Sequence, residues 1–248
     1  MLNNISTNSY INKNSFFHKL NPFIKIISIL LFLFISIYCN YITSHILIIS
    51  TIIILILISK IPIKHYLKSI IQIKYFLIIL FIFNLFFVNI IDSTIIILRL
   101  IEIILYTKII LYTTKASEMN RGFSIFCYPL KYIKINPDFI SMSITLTIRF
   151  IPIVINEINS FIKNLKTKGI YFTKNIKQNI MIIKKIMIPI LTRSINKADT
   201  IASMMEIKGF SFNKKRSSYF SNKVNIKDIL FIIILIVIFY FIIRGEIV

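Results

Sequence analysis

Tryptophan is absent from this 248-residue sequence, glycine occurs four times, proline six times and cysteine twice, and only nine residues are acidic. No GxxxxGK[ST] phosphate loop occurs, and four glycines could hardly build one, so the chain is not expected to hydrolyse ATP itself. The few carboxylates are scattered, without the paired aspartates that a membrane prenyl transferase needs to hold magnesium. Neither a nucleophile elbow nor a zinc-protease motif occurs. Cys39 and Cys127 lie in segments of different character and match no metal or redox spacing, so both read as free thiols. His18, His45 and His65 fall in three separate loops or ends, which argues against a metal site and leaves an interfacial role as the default. The missing tryptophan, beside heavy use of Ile, Asn and Lys, reads as compositional bias and not as chemistry.

What is abundant is apolar residues and lysine. The chain is 56% hydrophobic with mean hydropathy +0.81, far too apolar for one water-soluble domain, and reads as an all-α polytopic membrane protein. The net charge of +21 does not indicate nucleic acid, because no basic domain stands apart from the apolar segments. In such a chain basic residues record which loops stay in the cytoplasm.

Residues 1–20 are polar, contain Lys13 and Lys19, and show no compact signal peptide with a cleavage site; they read as an uncleaved cytoplasmic tail. Residues 21–112 read as two transmembrane helical hairpins. Between Lys25 and Lys60 nothing is charged at neutral pH, Pro22 opens the first helix, and a polar break from Cys39 to His45 divides the run. Each half is short for a span of about 20 residues, so Lys25 and Lys60 are expected to snorkel towards the headgroups. A loop carrying Lys60, Lys64, Lys68 and Lys74 follows, then an apolar Tyr75 to Ile91, a second break at Asn89 to Thr94, and Ile95 to Tyr112. The lysine asymmetry places the N-terminus and the Lys60 to Lys74 loop inside, and both polar breaks outside.

Residues 113–228 hold twenty Lys and Arg against six Asp and Glu, and read as a cytoplasmic or interfacial module. A fifth span, Ile229 to Ile243 within residues 229–248, then puts the tail outside.

Two long amphipathic helices are expected in this module, at about 137–169 and 176–209. In the first, Ile140, Ile144, Ile148, Ile151, Ile155, Ile158, Ile162 and Leu165 recur at three- and four-residue intervals, with Asn136 as N-cap and Pro137 at the first helical position. In the second, Met187, Ile190, Leu191, Ser194, Ile195, Ala198, Ile201, Ala202 and Met205 form a dry face, and Arg193, Asn196, Lys197, Asp199, Thr200, Ser203 and Glu206 a wet one. Each helix carries Ile-Pro-Ile and ends in Lys-Gly, an approximate internal repeat of about forty residues. All four glycines, 122, 169, 209 and 245, follow Arg or Lys, as helix C-caps do. For Gly122 and Gly245 that reading suffices. Lys168-Gly169 and Lys208-Gly209 end long helices, and a protruding cationic helix end can dock in a groove on an acidic partner.

Arg99 and Glu102, three apart in the fourth span, share a helix face. They read as a buried intramembrane ion pair, or as a proton or ion relay.

Four segments resemble the transmembrane T component of energy-coupling factor transporters, the EcfT/CbiQ-like family, over nearly the whole chain. Leu20-Asn21-Pro22-Phe23-Ile24-Lys25 is similar to the family's opening, and Thr113-Thr114-Lys115-Ala116-Ser117-Glu118 to the segment after its hairpins. Arg149-Phe150-Ile151-Pro152 is more specific, and the run from Ile188-Pro189 through Arg193-Ser194 and Ala198-Asp199 to Glu206-Ile207-Lys208-Gly209-Phe210 is the most specific.

The resemblance implies a non-catalytic subunit in the cell membrane. It would transmit ATP-driven motion from two ATP-binding-cassette subunits to a separate substrate-binding S component that captures a vitamin or transition-metal ion. It further implies that ATP is bound by those partners and that this chain holds no cofactor or metal. The family's Ala-Arg-Gly docking motifs fall on Thr167-Lys168-Gly169 and Ile207-Lys208-Gly209, with Arg193, Asp199 and Glu206 supporting the second coupling helix. At both arginine positions lysine keeps the charge and gives up the planar two-pronged geometry. Two other classes compete: a permease subunit of a conventional ABC importer, which normally carries one coupling helix, and a membrane-embedded enzyme, which needs clustered carboxylates or histidines.

Overall fold

The computed structural model describes residues 10–133, 137–170, 176–210 and 225–247. Among these residues every regular element is helical. They form two compact units, one within Asn8–Pro137 and Ser221–Val248, the other within Asp138–Phe220.

The first unit is a bundle. Pro22 starts α2 (Pro22–Tyr38), and the Asn21 side chain caps it by accepting from the Phe23 N–H at 3.0 Å. α3 (Ile42–Ser59) follows after a three-residue turn, and ends where Lys60 takes a left-handed conformation (φ 57°). Only Lys60-Ile61-Pro62 connects α3 to α4 (Ile63–Leu85). Lys64, Lys68 and Lys74, expected in a loop, therefore lie on α4; proline at 62 ends the connection and the helix begins at once. α5 (Ile90–Thr113) is the centre of the bundle, packed against α2, α3 and α4. α9 (Ile226–Ile247) packs on α2 and α3. A short α1 (Phe16–Lys19) packs on α3 and α5, with Phe17 and Leu20 buried, so residues 10–20 are part of the bundle and not a free tail. The core includes Phe32, Ile48, Ile52, Tyr106, Leu235 and Phe239, with the Phe32 and Tyr106 rings stacked 4.2 Å apart.

α6 (Ala116–Phe126) packs on α2 through Gly122. A Cβ at Gly122 would meet the backbone of Pro22 and Phe23 at 2.7 to 2.9 Å. This corrects the reading of Gly122 as a C-cap: it sits inside α6, and its missing side chain is what lets two backbones approach. Gly245 is likewise inside α9 and not at its end. A 3-10 helix, Tyr128–Ile133, completes this part.

The second unit contains α7 (Pro137–Thr167) and α8 (Ile176–Ile207), each running through an internal proline, Pro152 and Pro189. Proline removes a helical donor, leaving the carbonyls of Ile148 and Lys185 without their usual partner. The expected Asn136 cap lies outside the described residues.

Among the described residues four helices are long and apolar enough to cross a membrane: α3, α4, Phe139–Thr167 of α7, and Ile226–Gly245 of α9; α2 is a shorter apolar helix. α5 has the length of a span and carries Asp92, Arg99, Glu102 and Lys108. That α7 has span-grade length and composition was not expected of the basic module.

Candidate functional site

The two Lys-Gly ends have the same backbone geometry, and it follows from their sequences. At α7, Gly169 adopts φ +73°, its N–H donates to Lys166 O at 3.1 Å, and the Ile170 N–H donates to Leu165 O at 3.0 Å. At α8, Gly209 adopts φ +73°, its N–H donates to Glu206 O at 2.8 Å, and the Phe210 N–H donates to Met205 O at 2.9 Å. Both are Schellman endings, in which a residue with positive φ turns the chain back to satisfy carbonyls the helix leaves open. A side chain at either glycine would be strained by the left-handed conformation, although space around both is open. Thr167, Lys168, Ile207 and Lys208 are all exposed, with Ile207 at 85%. Thr167 Oγ1 donates to Asn164 O at 2.8 Å, tightening the last turn of α7.

The helices are antiparallel. Lys197 of α8 pairs with Glu157 of α7, and the Arg193 guanidinium lies 4.8 Å from the centroid of the Phe161 ring. Beyond them, Arg149 and Ile153 of α7 share a cleft with Ile201 and Lys208 of α8. Lys208 therefore lies beside Arg149, whereas Lys168 is about nineteen residues further along α7. At 1.5 Å per helical residue the two ends are roughly 30 Å apart. Arg193 spans the two helices, while Asp199 and Glu206 are exposed on α8.

The dry face expected of α8 divides in two. Ile190 is buried and Ser194, Ile201 and Met205 half-buried, whereas Leu191 (53%) and Ile195 (60%) remain exposed. A stripe wider than the partner helix covers leaves one edge apolar and open.

The intramembrane pair is corrected. Glu102 is fully buried and accepts from His45 Nδ1, at 3.0 Å to Oε1 and 3.1 Å to Oε2, and from Ser36 Oγ at 3.3 Å. Arg99 donates from Nη2 to the Cys39 carbonyl at 2.9 Å and makes no ion pair with Glu102. Helical spacing placed Arg99 and Glu102 on one face but could not say what faces each of them; α2 and α3 bring Ser36 and His45 to Glu102. His45 belongs to the first turn of α3 and is 0% exposed, packed among the helices. No group of three or more His, Cys, Asp or Glu among the described residues could hold a metal.

At the other end of α5 a second buried clasp joins distant segments. Lys25, expected to snorkel, is 1% exposed; its Nζ donates to Thr113 O at 3.2 Å and Thr114 Oγ1 at 2.8 Å, where a cation suits a helix C-terminus. Asp228, which sequence reasoning missed, is buried and accepts from the backbone N–H groups of Asn21 at 2.9 Å and Asn225 at 2.8 Å. Its signal was a lone acid at the start of an apolar run, a usual N-terminal position for a helix. The Leu20–Lys25 and Thr113–Glu118 segments thus meet, and their polar residues hold helix ends together.

Comparison with known proteins agrees with this architecture. The sequence profile of the CbiQ family, described as a cobalt transport protein, matches residues 13–219. Proteins named energy-coupling factor transporter transmembrane protein EcfT are 26% identical over 92% of this chain and 92% of the relative (Staphylococcus aureus), 23% over 92% and 91% (Streptococcus equi subsp. equi), and 23% over 88% and 89% (Bacillus subtilis). With a profile match over most of its length, full-length relatives and a helical architecture with several membrane-grade helices, the chain belongs to the CbiQ family and is a multi-pass transmembrane component of a transporter, not an enzyme.

Proposed function

We propose that this chain is the coupling subunit of an energy-coupling factor importer, passing movement from two ATP-binding-cassette subunits to a separate substrate-binding membrane subunit for a vitamin or a transition-metal ion. ATP is bound by the partner subunits, and the N-terminus and the α7–α8 module face the cytoplasm. The observation that carries this reading is the pair of matching Schellman endings, each presenting an exposed lysine and set roughly 30 Å apart on antiparallel helices. Two equivalent tips so far apart suit two partner subunits better than one. The Lys197–Glu157 pair and the Arg193–Phe161 contact couple the helices, so a push on one tip is passed to the other helix.

The test is a pull-down of the ATPases with Lys168→Glu/Lys208→Glu. The double variant is expected to enter the membrane normally and lose both ATPases, while arginine at both positions keeps or tightens the complex. Full co-purification of both ATPases with the double Glu variant refutes the docking role.

A further inference from the structure

Arg149 and Lys208 come from different helices and line one cleft of about 230 Å³, walled by Phe150, Ile153, Ile201 and Met205. Other cations between these helices have partners: Lys197 has Glu157 and Arg193 has Phe161. Among the described residues neither Arg149 nor Lys208 has a carboxylate within ion-pair distance, and both are exposed. Two like charges brought to one cleft repel each other unless an anion lies between them. The apolar walls favour an anion that comes attached to carbon, because an inorganic ion gains nothing from Phe150 or Met205.

We propose that Arg149 is a second anchor at the Lys208 end, and that the cleft receives a carboxylate side chain, flanked by apolar residues, from the ATPase docked there. The inference rests on the coupling role proposed above and makes the two ends unequal. At the Lys168 end the cations, Lys163, Lys166 and Lys168 on the α7 side and Lys184 and Lys185 on α8 opposite them, are all exposed ammonium groups. At the Lys208 end the facing helix contributes an arginine to the cleft lining, whose guanidinium has the planar two-pronged geometry that lysine lacks.

The experiment titrates purified ATPase subunits onto the full-length chain in lipid nanodiscs, with Arg149→Gln placed in two backgrounds. In Lys168→Glu, where only the Lys208 end remains, Arg149→Gln is expected to weaken binding about 10-fold or more. Arg149→Lys in that background should lose less. In Lys208→Glu, where only the Lys168 end remains, Arg149→Gln should change binding by less than about two-fold. An equal loss in both backgrounds makes Arg149 a folding residue, and no loss in the first makes it a bystander; either overturns the inference. Full ATPase binding by Lys168→Glu/Lys208→Glu would instead refute the coupling role itself, and the inference with it.

Discussion

Replacing His45 with leucine should be among the most damaging single changes in the bundle. His45, Ser36 and Glu102 are all 0% exposed, and His45 Nδ1 supplies both of the shorter contacts to the carboxylate. With the imidazole gone, Glu102 keeps only the 3.3 Å bond from Ser36 Oγ. An ordinary hydrogen bond between membrane helices is worth about 0.6 kcal/mol on average. Leaving a buried carboxylate without its partner costs more, about 3 to 5 kcal/mol, a large part of a typical folding free energy of about 5 to 15 kcal/mol. The larger figure applies here because the carboxylate has no exposed surface through which to recover solvation. His45→Leu and Glu102→Leu should each lower the thermal midpoint of the protein in nanodiscs sharply, and the double variant should recover most of the loss, since it strands nothing. Arg99→Leu should not rescue Glu102→Leu, because Arg99 bonds the Cys39 carbonyl. Rescue by Arg99→Leu, and not by His45→Leu, would refute the assignment. A well-folded His45→Leu/Glu102→Leu variant that has lost uptake would make the cluster a relay and not a clasp.

Three further outcomes follow from packing and exposure. Gly122→Val should abolish stable expression, since its first side-chain atom would lie 2.7 Å from the Pro22 backbone, whereas Gly245→Ala, with open space around it, should be neutral or stabilise by up to about 1 kcal/mol; equal behaviour of the two would contradict the α2–α6 contact. Lys25→Met should cost about 2 kcal/mol by leaving the Thr113 carbonyl without its charged donor, while Lys60→Met on the exposed turn should cost little, as read from thermal unfolding. For topology, cysteines at the exposed residues Asn40 and Asn89 should react with an impermeant maleimide outside intact cells, and one at exposed Lys64 should not. Ser44, Ser69 and Ser93 are buried and unsuited as probes, and labelling at Lys64 alone would invert the orientation.

The sequence by itself determined what short-range physics can determine. Apolar runs and a helical period of three and four residues specify helices, and the observed α2, α7 and α8 lie close to their expected bounds. Glycine after a cation at 169 and 209 specifies a left-handed ending, because only there does a missing Cβ remove a cost; the same dipeptide pattern at 122 and 245 did not, since a glycine within a helix continues it. Tertiary structure alone decided which polar side chains are buried and against what. Lys25 reads in sequence as a snorkelling lysine, yet α2 carries it to the end of α5, where the Thr113 carbonyl and the Thr114 hydroxyl accept from it. Glu102 has Arg99 as its sequence neighbour and His45 as its partner, 57 residues away. The same holds for Arg149 and Lys208, which share a cleft only because α7 and α8 run antiparallel. Periodicity assigns a residue to a face of its own helix, and only the packing of helices says what lies opposite that face.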